Sequence, residues 1–369
     1  MPADFSRRGL FHLAAGAAAL GGPFGRALGP IAFAQELATP KGLPDPVVPV
    51  TKRSAVSLVK GEVRRKNVTE ALVRIDDQIR PMLKLKKYVV IKPNNVATNI
   101  QLAATHVDAL EGILDYLEPR FKGPVVIAES SAGNTMEGFE YYKYTRLPSE
   151  RRSQKIQLID LNEEAKFEPL AVLSKDLHVD RVRLAARLLD PDAFIICSTM
   201  LKTHNVAVAT LSVKNMTLGA PLHNAPKEAK RWNDKRKYHT GVRGTNYNMM
   251  LTAQKMAPFW GATVIDGFEG MEGNGPSSGT PVASRIAIAS TDYIAADRVG
   301  VECMGINPLW VAHLQYCWQA GLGQYEADKI DIRGEKIADV QKKYRLHADI
   351  ERELRWIGPL EEPIEPPLG

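Results

Sequence analysis

Two stretches of the sequence concentrate side chains able to do chemistry. The first holds Lys202-Thr203-His204, then Lys214-Asn215, His223 and His239. Histidine moves protons or ligates a metal near neutral pH. Lysine neutralises a phosphate or carboxylate, or forms a Schiff base when burial lowers its pKa. No metal motif has these spacings, since His223 follows His204 by 19 residues and His239 comes 16 later. Only the fold can bring the set together. Lys202, Lys214, His204 and His239 are the expected catalytic residues, the lysines holding an anion and the histidines serving as acid/base groups or metal ligands. For any one histidine an ordinary hydrogen-bonding role is the alternative.

The second stretch runs Asp266-Gly267-Phe268-Glu269-Gly270-Met271-Glu272-Gly273-Asn274-Gly275-Pro276, with Gly279 beyond it. Its glycines reach backbone angles closed to other residues and could turn N–H groups toward an anion. It is neither a dinucleotide fingerprint nor a P-loop, because Pro276 stands where a helix should start and no Gly-Lys-Ser/Thr closes it. Asp266 and Glu272, with His223, are candidate ligands for a divalent metal such as Mg²⁺ or Ca²⁺. A tight strand-to-loop turn is the plainer reading. Asn94, Glu129, Asn215 and Asn274 are expected to bind substrate.

Stepping outward, the elements that must position these groups are legible as short β-branched runs. They are Tyr88 to Ile91, Val125 to Ile127, Ile156 to Ile159, Phe194 to Cys197, Thr263 to Ile265 and Ile286 to Ala289. Between them Ala103 to Leu117 places Val107, Leu110, Leu114 and Leu117 on one helical face, and Met249 to Met256 and Ile294 to Met304 behave alike. This alternation predicts an α/β fold: a mostly parallel sheet with helices on both faces, in a single large domain. The 231–248 stretch, with Arg231, Lys235, Arg236 and Lys237 around Trp232 and Tyr238, reads as a long basic excursion over the sheet. Every strand runs into polar residues: Lys92-Pro93-Asn94-Asn95, Glu129-Ser130-Ser131, Asp160, Ser198-Thr199, Asp266 and Ser290-Thr291-Asp292. Parallel strands would bring these tails to one edge, where open α/β sheets bind ligands. Thr105 is the expected N-cap of the helix that follows, with His106 less basic than usual beside it. Asp297 reads as a solvent-facing position.

Composition narrows the classes. The net charge of +6 includes no Lys/Arg block of the nucleic-acid-binding kind. Cys197, Cys303 and Cys317 form no C-x-x-C pair and sit in apolar contexts, so no iron–sulfur cluster is expected and each reads as a small buried hydrophobe. At the amino terminus Ser6-Arg7-Arg8-Gly9-Leu10-Phe11 precedes an apolar run to about Leu20, and Ala32-Phe33-Ala34 closes the segment. That is the pattern of a twin-arginine signal peptide over 1–34, with the twin-arginine translocase as export partner and the periplasm or exterior as destination. Without it the chain keeps +4. A proline-rich linker at 35–52, an α/β domain at 53–335 and a C-terminal extension at 336–369 complete the division. No later segment is apolar and long enough for a stable membrane span.

Lys92-Pro93-Asn94, Thr105-His106, Glu129-Ser130, Lys202-Thr203-His204, Lys214-Asn215, Asp266-Gly267 with Glu272-Gly273-Asn274-Gly275-Pro276, and Asp292 with Ala295-Ala296-Asp297 resemble the family known as "domain of unknown function 362". The resemblance covers about residues 53–335 and implies an α/β fold without supplying a reaction. Many of that family carry a ferredoxin-like segment with C-x-x-C motifs, which this chain lacks. The expected function is an exported enzyme acting on a small anionic ligand by Lys/His/carboxylate chemistry, assisted by a divalent metal if any cofactor. The alternatives are a periplasmic binding protein without catalysis, or an assembly partner of an exported redox protein.

Overall fold

Each of the β-branched runs becomes a strand in the computed structural model, which describes residues 46–164, 166–223 and 232–358. The expected signal peptide and most of the linker lie outside the described residues. In chain order the strands are β1 (Ser54–Lys60), β2 (Tyr88–Lys92), β3 (Val125–Glu129), β4 (Ile156–Asp160), β5 (Phe167–Leu173) and β6 (Val179–Ala185). Then follow β7 (Ala193–His204), β8 (Val208–Ala209), β9 (Trp260–Glu272), β10 (Thr280–Val282), β11 (Ile286–Ser290) and β12 (Ile330–Gly334). The main sheet runs β12-β1-β11-β9-β7-β2-β3-β4, with β8 and β10 appended, and β5 and β6 pair in a sheet of their own. The fold is α/β and the sheet mostly parallel, as the alternation of runs and helices predicts.

One strand departs from that prediction. From β4 to β9 all neighbours are parallel, but β11 is antiparallel to both β9 and β1. A short return after β9 allows this, because antiparallel neighbours need no crossover helix. The tail Ser290-Thr291-Asp292 therefore lies at the opposite edge from the other five. There Asp292 caps the helix Tyr293–Cys303, accepting from the N–H groups of Ile294 and Ala295 at 3.0 and 3.1 Å.

Two faces cover the sheet. Ile91, Ile127 and Ile196 share one core cluster with Leu110, Ile113 and Leu114 of the helix Val107–Leu117. The next residues along β2 and β7, Lys92 and Cys197, turn to the other face and meet Asn215 on the helix Ser212–Gly219. The supposed excursion contributes to this second layer. Its first part forms a short 3₁₀ turn, Asp234–Tyr238, and its second opens the helix Gly241–Met256, which buries Thr245, Asn246, Asn248 and Met249. A polar stretch can be interior when its amides and hydroxyls find partners; Tyr238 and Thr252 share a hydrogen bond of 2.6 Å.

Asp297 is also interior, not solvent-facing. It is fully buried, and its two carboxylate oxygens accept from the N–H groups of Ser212 and Val213 at 2.8 and 2.9 Å, which caps Ser212–Gly219 from another helix. All three cysteines are buried and unpaired. Replacing Asp297 by Ala leaves two buried amides without acceptors and is expected to cost about 3 kcal/mol. Urea unfolding monitored by circular dichroism would measure it, with Asp297→Asn expected to lose less.

Candidate active site

The connections leaving β2 and β7 diverge to opposite faces of the sheet, one through Val107–Leu117 and the other through Ser212–Gly219. This is a topological switch point, the place where open α/β sheets form a ligand crevice. Beyond Cys197, the last β7 residue paired with β2, seven residues of β7 continue past that edge, about 20 Å of strand. They pair with β9, where Met200 faces Asp266 but Lys202 faces Met271. The glycine-rich stretch expected to be a loop is thus a bulged part of β9, and only residues after Glu272 turn away.

At the switch point Lys92, wholly buried, donates to Glu129 at 2.9 Å, to the Asn215 side-chain oxygen at 3.0 Å and to the Pro93 carbonyl at 3.1 Å. Asn94 donates to the same Asn215 oxygen at 3.0 Å. Glu129 also accepts from the N–H groups of Asn95 and Ser130, at 3.2 and 2.8 Å. Gly219 closes over this pair: a Cβ there would stand 2.2 Å from Lys92 Nζ. The expected substrate-binding residues Asn94, Glu129 and Asn215 are therefore together. Asn94 Oδ1 and Asn95 Nδ2 remain buried without hydrogen-bond partners among the described residues, as polar atoms at ligand sites often are.

Three more lysines share this neighbourhood. Lys202 donates to the Ala103 carbonyl at 2.7 Å, and Lys235 to Ser130 Oγ at 2.9 Å and to the carbonyls of Leu218 and Gly219. Lys214 has no hydrogen-bond acceptor among the described residues and is 5% exposed. Burial, reinforced by neighbouring lysine charge, pushes Lys202 well below the usual amine range, Lys214 to about 8 and Lys235 to about 7. Glu129 is the one carboxylate that opposes all three shifts.

The expected catalytic histidines fall on the same field. Burial, then the charge of Lys214, lowers the basicity of His204; His239 is solvent-exposed, and partial desolvation and then Lys214 lower it too. His204 Nδ1 accepts from the Val206 N–H at 3.1 Å, so its neutral ring carries the proton on Nε2. A third histidine, His313, belongs with them. Asn246 donates its amide hydrogens to the Val206 and Val242 carbonyls, so its oxygen accepts from His313 Nδ1 at 3.0 Å. The free lone pair of His313 then sits on Nε2, and burial lowers its pKa to about 3.

The proposed metal ligands are not assembled. Asp266 is buried against Arg64 at 3.1 Å. Glu272 lies six residues further along β9 and accepts from the Arg345 N–H at 2.9 Å, while His223 Nε2 meets the Ser131 carbonyl. Each is held by a different element, and no three His, Cys, Asp or Glu side chains among the described residues are placed to hold a metal ion. Asn274 is likewise apart; it is exposed and accepts from the Ala348 N–H at 3.2 Å. Three of the turn's amides are engaged: Gly273 donates to the Arg345 carbonyl, Gly275 to Gly273 and Ser278 to Asn274. Thr105 does not cap the following helix either; His106 does, accepting from the Asp108 N–H at 3.1 Å, while Thr105 Oγ1 donates to the Ser198 carbonyl. His106 is less basic than usual, through burial first and Arg64 second.

The site set expected from the sequence leaves out Lys92, Lys235, His313 and Gly219, although Lys92 stands at a strand end and Lys235 in the basic stretch. Lys92 carried a signal, as the only charge ending the apolar run Tyr-Val-Val-Ile. His313 carried none, being one polar residue of the helix Ala312–Gln319.

The amines and their one carboxylate make opposite predictions for stability. Glu129→Gln leaves the Lys92 charge buried without its partner and is expected to destabilise by about 3–5 kcal/mol. Lys214→Met removes a buried cation that nothing pairs and is expected to stabilise the empty protein by on the order of 1–3 kcal/mol at pH 7. The penalty shrinks as pH rises from about 8 toward the ordinary lysine value, because the native amine is then neutral while the unfolded one is still charged. The gain from Lys214→Met should fall accordingly in chemical unfolding at pH 9.5.

The model of the family described as "Domain of unknown function (DUF362)" matches residues 89–302, which take in β2 through most of Tyr293–Cys303. Over 153 residues the chain is 28% identical to the thylakoid-associated protein sll1697 of Synechocystis sp. (strain ATCC 27184 / PCC 6803 / Kazusa). That match spans 40% of this chain and 44% of that protein. A crystal structure of a Thermotoga maritima protein has a TM-score of 0.39 and 9% identity, over 71% of this chain and 60% of that one. With its switch-point lysines and β7 inside the matched span, the chain belongs to the family "Domain of unknown function (DUF362)".

Proposed function

We propose that the protein is an exported enzyme acting on a small anionic substrate held at the carboxyl edge of β2, β3 and β7. One observation carries this reading: four lysine amines, Lys92, Lys202, Lys214 and Lys235, share the field of Glu129, the one carboxylate that acts on all of them. Three of the four are buried and Lys235 is half-buried, and such an excess of positive charge is costly unless an anion completes it. The unpartnered Asn94 oxygen and Asn95 amide would orient the substrate. His204, with a proton on Nε2, and His313, with a lone pair there, supply a donor and an acceptor for proton transfer. His239 adds a second exchangeable group close to Lys214.

The amino-terminal Ser6-Arg7-Arg8 and the apolar run behind it support export by the twin-arginine route. Replacing both arginines by lysine should keep the precursor in the cytoplasm of an expressing bacterium. Unchanged amounts in the periplasmic fraction would defeat that part of the reading.

Anion binding is tested by thermal unfolding with inorganic phosphate, sulfate and small dicarboxylates. Stabilisation is expected at pH 6.5 and should fade by pH 9, because Lys235 and Lys214 lose their charge near 7 and 8. It should vanish in the Lys202→Ala, Lys214→Met double variant. If no anion raises the melting temperature at pH 6.5, the site reading fails. Turnover is read by incubating the protein with a mixture of acidic metabolites and following their loss by mass spectrometry. His204→Gln should stop that loss while keeping the thermal shift; no loss with the unaltered protein would leave a binding protein.

A further inference from the structure

The four amines of the site are not equivalent, and the difference lies in what each one touches. Lys92 is paired with Glu129 and held by two further oxygens. Lys202 is tied to a main-chain carbonyl, and Lys235 to a hydroxyl and two carbonyls. Lys214 alone of the four has neither a carboxylate partner nor an acceptor among the described residues, yet it is buried. Its backbone is fixed, because Asp297 pins the N–H groups of Ser212 and Val213 just before it. A buried amine in a rigid turn of helix, with no acceptor for its hydrogens, gains little from the ammonium form and keeps its lone pair available.

Resting on the anion site proposed above and naming the chemistry of its substrate, we infer that Lys214 is a nucleophile that forms an imine with a carbonyl-bearing anion of the 2-oxo acid kind. The Lys214 nitrogen attacks the carbonyl carbon and a C–N bond forms. The two amine hydrogens leave with the carbonyl oxygen as water, which gives a neutral C=N bond with no redox change. One further proton from solvent makes the iminium ion. The transfers need a donor and an acceptor, and the Nε2–H of His204 and the Nε2 lone pair of His313, both within reach of the Lys214 charge, are assigned to them. Lys202 and Lys235 are left to face the substrate's carboxylate. An imine so formed draws electrons from the neighbouring carbon, which suits enolisation, decarboxylation or aldol-type cleavage.

The lowered basicity of Lys214 agrees with this role but does not single it out, since Lys202 and Lys235 share it. What separates Lys214 is the missing acceptor.

The probe is glyoxylate, a small anionic aldehyde, with cyanoborohydride to reduce the imine to a stable carboxymethyl-lysine on the intact full chain at pH 7.5. Peptide mapping by mass spectrometry should find Lys214 labelled about tenfold faster than the solvent-exposed Lys60 and Lys84. Inorganic phosphate should slow labelling of Lys214 and leave Lys60 and Lys84 unaffected. Lys214→Arg should lose the fast label while circular dichroism shows the fold retained. Labelling of Lys214 at the rate of Lys84, or preferential labelling of Lys202 or Lys235, overturns the assignment while a surviving phosphate shift leaves the anion site standing. Fast labelling of Lys214 that phosphate neither slows nor accompanies with a thermal shift upholds the nucleophile and removes the anion reading.

Discussion

The buried ion pair between Lys92 and Glu129 is the constraint on which the rest of the site depends. A lone ammonium in that position would be untenable, and a lone carboxylate equally so. Their union ties the ends of two neighbouring parallel strands. Asn215 then fastens both to a helix that reaches the site from the far side of the switch point. Because the pair must stay dry, the helix carrying Asn215 has to end directly above it, which only a residue without a side chain permits. Gly219 is that residue. Ser130, one position past Glu129, takes the carbonyl of Gly219 and gives Lys235 an oxygen, so the second rank of contacts is built on the first.

Around this satisfied pair the protein keeps three amines that no carboxylate pairs. A fold selected for stability alone would replace them with apolar groups of similar volume, as buried charges commonly allow. Their retention on three separate elements is the pattern expected where function is kept at the cost of stability. The histidines extend the same logic. His204 and His313 are oriented by hydrogen bonds at Nδ1, and both share the turn at Val206, which Asn246 bridges. The β7–β9 ribbon supplies the frame, since its length carries His204 far beyond the end of β2.

How much of this was legible in the residues alone follows physical lines. The central strands and the helix Val107–Leu117 were plain, because burial on both faces writes a continuous apolar run and an amphipathic helix writes a 3.6-residue period. The convergence of Lys202, Lys214, His204, Asn94, Glu129 and Asn215 followed from one inference, that parallel strands send their ends to one edge. The reversal of β11 was hidden, since a five-residue apolar strand reads the same in either direction. So was the fate of the glycine stretch, which looks like a loop because glycine is rare in strands but here serves a bulge. Asp266 and Glu272 resembled a cation site by composition, yet along an extended strand six residues separate them by about 20 Å. Asp297 was misread because a lone carboxylate in an apolar helix has no sequence mark to show that another helix begins at its tip.

The depth of the amines has a consequence for the surroundings in which the protein can work. Charges displayed on a surface lose their reach as dissolved ions gather round them, over about 10 Å at moderate salt. Ions cannot crowd round Lys92, Lys202 and Lys214, which are at most 5% exposed, except by entering the pocket as a guest does. The pull of this pocket on a negatively charged guest should therefore change little between dilute medium and brine, unlike that of a basic patch facing open water.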